Sequence, residues 1–361
     1  MPRPRDLRLD RQAARVGVLA LALGAANAPA DPLDGASYTL GRGLDLPAMH
    51  LRLSGYTSLR GRNLAQDPAR LDLRDLSMFA RWQPGRRWHL FSEIEVENAF
   101  VVDDRGFTTG DIEIAVERLY VEAAVNDTDS VRAGRFLTPF GRWNQVHADP
   151  LVWTVSRPLV TALTIPDHGT GGAWLGTHDL ASGLLEYTAY ADDSHDLDPV
   201  NGEADFEDVE APGLVNDFAH GGGGQLRYHF LGGRAELAAS YASFRFAGIA
   251  GLHHALGVDG ILRWGRAEFS FESAWRHNGG PFDGDDFGAF AQAVVPLVGH
   301  VYGVARVEHY RSAILDRDAG RRLLGLAWRP VPPVTFKLEY HAGDDARLTP
   351  DGCEASVSIL F

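Results

Sequence analysis

The sequence predicts an all-β protein: a transmembrane antiparallel β-barrel of about sixteen strands with long loops at one end. Three observations predict it. Apolar and polar residues alternate with period two through nearly the whole chain. The connections between the alternating segments are by turns short and long. Tryptophan, tyrosine and phenylalanine gather beside the short ones.

The N-terminus reads as a secretory signal over residues 1–30. Arg3, Arg5, Arg8, Arg11 and Arg15 form a basic region, diluted by Asp6 and Asp10, and the apolar run 16–23 follows. That run is too short to span a bilayer as a helix. Ala28, Pro29 and Ala30 supply the small residues of a cleavage site, so the cut is expected after Ala30. The mature part, 31–361, then has 331 residues and a formal net charge of −17. Residues 31–47 are too polar and irregular to assign.

The strands follow. The first runs over about 49–60, with Leu51, Leu53, Gly55, Thr57 and Leu59 on one face and Arg52, Ser54, Tyr56, Ser58 and Arg60 on the other. The third alternates Trp88, Leu90, Ser92, Ile94 and Val96 with His89, Phe91, Glu93, Glu95 and Glu97. The eleventh puts Phe269, Phe271 and Trp275 outward and Glu268, Glu272 and Arg276 inward; the fifteenth puts Phe336, Leu338 and Tyr340 outward and Lys337, Glu339 and His341 inward. The last segment ends on Phe361, with Ile359, Val357, Ala355 and Cys353 on its apolar side and Ser358, Ser356 and Glu354 on its polar side. Such strands keep one face in lipid and one in water. Two segments break the rule. Residues 111–126 need a bulge or a protein-packed face, and Arg132 and Arg135 cannot both point inward without a bulge.

With both termini on one side of the membrane, the odd-numbered connections face the other side. They are the long ones: 61–70, 101–110, 141–168, 192–218, 278–285, 312–319 and 343–351, with a shorter one near 247–252. The even-numbered ones are tight, at 83–86, 126–129, 179–182, 231–233, 265, 298–300 and 330–333. Trp82, Trp88, Tyr228, Phe230, Trp264 and Trp328 flank them, as rings of an interfacial girdle would.

Composition narrows the function. A chain of net charge −14 offers no clustered positive surface for nucleic acid. Cys353 is the only cysteine, so no intrachain disulfide and no cysteine zinc site can form. No segment after the leader approaches the roughly 20 apolar residues of a membrane helix.

The third long connection is the most distinctive: Gly134-Arg135-Phe136-Leu137-Thr138-Pro139-Phe140-Gly141-Arg142-Trp143 and onward to Trp153. Its Gly-Arg…Thr-Pro-Phe-Gly passage resembles the entry to the third loop of bacterial outer-membrane porins of the general or substrate-selective type. The resemblance covers the mature chain in architecture and residues 131–141 in motif. It implies a loop folded into the barrel that narrows a water-filled pore, a homotrimer, and placement in the bacterial outer membrane with the termini in the periplasm. Composition agrees with inward folding, because Trp143, Val146, Leu151, Val152, Trp153 and Val155 are too apolar for a solvated loop.

The candidate selectivity residues are therefore Arg142, His147, Asp149 and Arg157 on the loop, and Arg52, Glu95, Arg118, Glu122 and Arg132 on the wall. Glu93, Glu95 and Glu97 are expected to pair with lumen arginines such as Arg81 and Arg118, since adjacent like charges repel. Tyr56, Phe79, Phe91, Tyr120, Tyr190 and Tyr310 could form the aromatic ladder of a carbohydrate-selective pore. The acidic loop 192–217 and the cluster Asp283, Asp285 and Asp286 suit divalent cations bridging to lipopolysaccharide, or plain solvation.

The expected function is passive diffusion of small hydrophilic solutes or ions, with no cofactor, no metal and no covalent chemistry. Two alternatives stand: a receptor or adhesin acting through acidic external loops, and an outer-membrane hydrolase. The second lacks a Gly-x-Ser-x-Gly or His-Glu-x-x-His motif.

Overall fold

The computed structural model of the chain describes residues 31, 33–65, 67–109, 112–197, 218–246 and 250–361. The expected leader, 1–30, and most of the acidic connection, 198–217, lie outside them. The barrel strands are β1 (Leu51–Leu64), β2 (Arg70–Trp82), β3 (Trp88–Glu97), β4 (Glu113–Ala124), β5 (Asp129–Leu137), β6 (His168–Leu180), β7 (Gly183–Asp192) and β8 (Phe218–Phe230). They continue through β9 (Ala235–Phe246), β10 (His253–Trp264), β11 (Ala267–Asn278), β12 (Gly284–Pro296), β13 (Val301–Ser312), β14 (Arg317–Val331), β15 (Val334–Gly343) and β16 (Gly352–Leu360). Each pairs antiparallel with the next, and β16 returns to β1, with Ser358 opposite Ser58 and Cys353 opposite Asn63. Closure leaves none of the sixteen described barrel strands as an edge of the sheet, which is the condition for strands to cross a bilayer.

The distribution of burial is the reverse of a water-soluble sandwich. Arg276, Arg306, Glu308, Lys337 and Glu339 face inward and are buried, while Leu256, Val258, Leu262, Phe269, Phe271, Leu324 and Leu338 face outward and are exposed. Only a surrounding apolar solvent makes that arrangement favourable. Trp88, Trp264 and Trp328 are exposed at the strand ends beside the short turns, where an interfacial girdle belongs. Among the described residues no helix is long and apolar enough to cross a membrane, which leaves crossing by strands untouched.

Phe361 finishes the closure. Its backbone N–H donates to the Gly55 carbonyl at 2.9 Å, and the Gly55 N–H donates to the Phe361 carbonyl at 2.8 Å. The Phe361 ring lies against Gly55, where a Cβ would stand 2.9 Å from Cε2 and Cζ and 2.2 Å from the Ser77 carbonyl oxygen. Glycine is needed there for close approach.

Two bulges set the lumen charge. In β2 the register shifts opposite Ser58 and Leu59, so Arg74 and Asp75, adjacent in sequence, both turn from the lipid. In β4 a shift opposite Glu93 and Ile94 does the same for Glu117 and Arg118, which is the break expected within 111–126.

Other expectations are corrected. The ladder between β4 and β5 runs without a register shift past Arg132 and Arg135, with Arg132 opposite Glu122 and Arg135 opposite Leu119, and the irregularity there is Gly134 at φ +128°. The first outer connection shrinks from 61–70 to 65–69, since residues 61–64 continue the ladder with β16. The unassigned stretch 31–47 forms a hairpin, Ser37–Thr39 against Gly43–Leu46, whose second strand pairs with Leu51–Leu53 of β1. The connection after β3 folds into a second hairpin, Val101–Asp103 and Gly106–Thr108, which extends the ladder beside Leu71 and Asp72.

Candidate pore constriction

The third loop, residues 138–167, turns into the barrel, and its base explains the sequence motif. Gly134 has φ +128° and a Cβ there would stand 2.2 Å from the Leu119 carbonyl oxygen, so only glycine brings β5 this close to β4. The Thr138 hydroxyl donates to the Pro166 carbonyl at 2.8 Å, and the Thr138 N–H donates to the Asp167 carbonyl at 2.8 Å. Asn144 Nδ2 bridges the Thr138 and Asp167 carbonyls at 3.0 Å each. These bonds tie the two ends of the loop together before it enters the lumen.

Inside, the loop backbone is held by the wall. Buried backbone groups away from water need partners. Glu272 of β11 accepts the N–H groups of Arg142 and Trp143 at 3.0 and 3.2 Å and the Thr161 hydroxyl at 3.1 Å. Glu339 of β15 accepts those of Val155 and Ser156 at 2.8 and 2.7 Å. Glu308 of β13 accepts that of Leu159 at 2.8 Å and holds Arg306 and Arg321 at 3.2 and 2.6 Å.

Cations of the wall serve the carbonyls in turn. Arg276 donates to Leu163 and Thr164, Arg306 to Ser156, Arg321 to Arg157, Arg329 to Leu151 and Val152, and Arg74 to Val155, at 2.7–3.2 Å. Lys337, the sole lysine, donates to the carbonyls of Asp149 and Thr154 at 2.8 and 2.9 Å and to Asp149 Oδ1 at 2.8 Å. The alternation of charges on inward positions of β11, β13 and β15 thus grips a backbone more than a hundred residues away in sequence. A short helix, α1 (Leu159–Thr164), closes the loop: Leu159 and Leu163 pack with Tyr310, Ala319 and Leu348, and Val160 packs with Phe244 and Phe290.

Glu339, His341 and Glu354 bring ligand atoms within 4.8 Å of one another, as do Asp75, Glu95 and Glu97. Glu339 is already occupied by loop N–H groups and by His341 at 2.8 Å, which makes the first group part of the loop anchorage. In the acidic outer cluster, Asp285 pairs with His277 at 2.9 Å and Asp286 pairs with Arg276.

The candidate selectivity residues fall into five places. Arg118, Glu122 and Arg132 share one strip of wall: Arg118 pairs with Glu93 at 2.5 Å, and Arg132 pairs with Glu122 at 2.8 Å. Arg142, His147 and Arg157 lie on the loop. Arg142 pairs with Glu236, Arg157 with Asp167 at 2.7 Å and Asn144 at 2.9 Å, and His147 Nδ1 lies 2.9 Å from the Asn144 carbonyl, which assigns it as a donor. Burial first, then the neighbouring Arg157, holds the His147 ring down to about 4, so it is neutral near pH 7.

Asp149 stands apart, on the far wall between Lys337 and Ser356, 3.1 Å from the Ser356 hydroxyl. Burial raises its carboxyl, but the Lys337 ammonium, Arg74 and hydrogen bonds together outweigh that and keep it below the usual carboxylate range. Glu95 is buried and accepts the Tyr56 and Ser77 hydroxyls at 3.1 and 2.7 Å.

Arg52 lies apart from the other candidates, and the pairing of Arg81 differs from expectation. Arg52 is half exposed at the end of β1 nearer the termini and pairs with Asp45 of the N-terminal hairpin at 3.4 Å, because it begins the strand and lies far below the loop. Arg81 takes none of Glu93, Glu95 or Glu97; its guanidinium lies 5.9 Å from the centroid of Phe91 instead. Glu272, Glu308 and Glu339 and the cations that share the anchorage were not singled out by sequence as site residues, although Glu272, Arg276, Lys337 and Glu339 stand on predicted inward positions.

The aromatic residues sort themselves clearly. Tyr56, Phe79, Phe91 and Tyr120 form one row with centroid separations of 5.9, 5.8 and 5.6 Å. Tyr190 packs elsewhere, against Phe136, and Tyr310 lies under α1, donating to the Leu163 carbonyl at 2.9 Å.

Comparison of the fold with solved structures is direct. The anion-selective porin of Comamonas acidovorans superposes with a TM-score of 0.60 at 13% identity, over 86% of this chain and 99% of that one. The chain has the fold of the bacterial outer-membrane porins. OmpF of Salmonella typhi, solved with daunomycin, shares this porin fold with a TM-score of 0.58 at 12% identity over 86% and 97% of the two chains. The outer-membrane channel DcaP of Acinetobacter baumannii gives 0.55 at 11% identity over the same shares. In sequence, an uncharacterized protein of Aquifex aeolicus is 33% identical over 144 residues, 38% of this chain. The chain spans 31% of the length of that relative. No model of a known protein family matches it.

Proposed function

We propose that the chain is an outer-membrane porin in function as well as fold: a channel for passive diffusion of small hydrophilic solutes or ions. The observation that carries this is the third loop, folded into a closed barrel and anchored through its backbone to β2, β8, β9, β11 and β13–β15. Anchorage falls largely on the loop backbone and on the wall of β11 and β13–β15, which leaves charged and aromatic side chains of β3–β5 to line a passage. Arg118, Glu122, Arg132, Arg142, His147 and Arg157 are the residues proposed to tune it. Asp149 is proposed as a loop anchor, and Glu95 as a packing group behind the wall. No covalent chemistry is assigned to the chain.

The leader 1–30 and cleavage after Ala30 are part of the proposal, as is a homotrimer. A neighbour of known fold, OmpT of Vibrio cholerae, is described in a trimer form. The outward face of β4 and β5, with exposed Ile114, Leu119, Val121 and Val131, is the proposed contact surface. Cysteine crosslinks confined to the opposite side of the barrel would overturn that assignment.

The function is tested by liposome swelling with the refolded mature chain. Entry of small sugars and amino acids down their gradients, falling off with solute size, is expected. Vesicles that swell no faster than protein-free ones would contradict it.

A further inference from the structure

Taking the channel function as given, we propose that the β2–β5 wall carries a binding station for small planar aromatic carboxylates. The station lies in the half of the lumen nearer the termini, where Phe79, Arg81, His89, Phe91, Tyr120 and Arg132 occupy the inward positions of the strand ends.

The aromatic row there is not bare. Arg118 lies over Phe91 at 4.7 Å, Arg132 over Tyr120 at 4.2 Å, and Arg81 near Phe91 at 5.9 Å. His89 bridges Phe91 and Tyr120 at 6.4 and 6.2 Å. A guanidinium stacked on a ring has its second face left to meet a solute; Arg118 and Arg132 spend donors on Glu93 and Glu122, so the donor edge that meets a carboxylate is that of Arg81. A planar conjugated solute covers that face, and its carboxylate takes the edge in bidentate fashion.

Charge favours an anion. Glu93 balances Arg118 and Glu122 balances Arg132, while Arg81 is exposed and has no carboxylate partner among the described residues. The strip therefore carries one uncompensated positive charge. The Nε2 atom of His89 likewise has no hydrogen-bond partner.

Space is present as well. A cavity of about 370 Å³ lies beside the strip under the third loop, bounded by Glu122, Arg132, Pro139, Gln145, Gln225 and Arg227. That is the size of a site for a small organic molecule. Saccharides fit less well, because they stack on open ring faces, and here the guanidinium groups cover them.

The test uses the refolded mature chain with sodium benzoate, sodium acetate and maltose as probes. Single channels in a planar bilayer report block, and calorimetric titration of the detergent-folded barrel reports binding without conduction. Benzoate is expected to bind and block in a concentration-dependent way, more tightly than acetate, with maltose weakest. Arg81→Gln and Phe91→Leu should each weaken benzoate by roughly five-fold while leaving acetate nearly unchanged in the second variant. Benzoate no tighter than acetate overturns the station, as does maltose tighter than benzoate or an unchanged benzoate affinity in folded Arg81→Gln. Benzoate binding to a barrel that does not conduct would uphold the station and remove the channel; conduction without benzoate binding would do the reverse.

Discussion

Replacing Glu272 by alanine tests the anchorage of the third loop most sharply. The carboxylate is almost fully buried and accepts three hydrogen bonds, two of them from the backbone N–H groups of Arg142 and Trp143. The Thr161 hydroxyl can turn elsewhere; the two amides cannot. An unpaired buried amide costs about 1–3 kcal/mol, so Glu272→Ala should destabilise the inserted loop by about 2–6 kcal/mol. Each 1.4 kcal/mol is roughly tenfold in population, so the displaced loop should become at least about 30-fold more frequent. The barrel itself keeps every ladder bond of β11 and should remain folded. Glu272→Gln retains an acceptor oxygen and should lie between wild type and alanine. Hydrogen exchange of the peptide containing Arg142 and Trp143 reads the effect directly, and single-channel recordings should show larger, noisier steps. Wild-type exchange and wild-type conductance in a folded Glu272→Ala barrel would refute the anchorage.

Three other outcomes follow from the same contacts. Lys337→Met leaves Asp149 buried without its cation and should destabilise by about 3–5 kcal/mol in guanidinium unfolding, with Asp149→Asn in the same chain restoring part of it; an unchanged midpoint contradicts the pairing. Gly55→Val places side-chain atoms against the Ser77 carbonyl and the Phe361 ring and should lower the yield of heat-modifiable barrel on cold gels, whereas a normal yield would show that closure does not need the glycine. His147, held down to about 4, is neutral in the folded chain, while the unfolded chain protonates near 6.5. Its stabilising contribution is therefore whole above about pH 6.5 and is lost as pH falls toward 4, by roughly 2–3 kcal/mol. His147→Gln should flatten stability across that window, and a variant that follows the wild-type curve would remove His147 as the cause.

Much of the barrel was legible in the sequence because lipid imposes a strict rule on every second residue. Phe269, Phe271, Leu338 and Ile359 could stand nowhere but outside, and Glu272, Glu339 and Ser358 opposite them could stand only inside. The break in 111–126 was legible for the same reason, since Glu117 and Arg118 side by side cannot both face inward without the bulge that β4 has. The extra length of β1 was not, because Gly61 and Asn63 carry no apolar signal and are held by ladders, Gly61 with β2 and β16 and Asn63 with β16.

The site was legible at coarser grain. The Gly-Arg…Thr-Pro-Phe-Gly passage marked where the chain enters the lumen, through the constraints on Gly134 and Thr138. The partners of the loop were hidden, because they bind its amides and carbonyls, and a backbone group has no residue type to read. Arg81 was misassigned for a related reason: alternation places it in the lumen beside both carboxylates and rings, and only the geometry shows it against Phe91.

Single-channel recording of the refolded mature chain in a planar bilayer, under a salt gradient, tests the central claim most directly. Discrete, long-lived conductance steps with a stable reversal potential are the predicted result, and a potential of the sign of anion preference would match the uncompensated Arg81. A folded, heat-modifiable barrel that passes no current would contradict a diffusion channel.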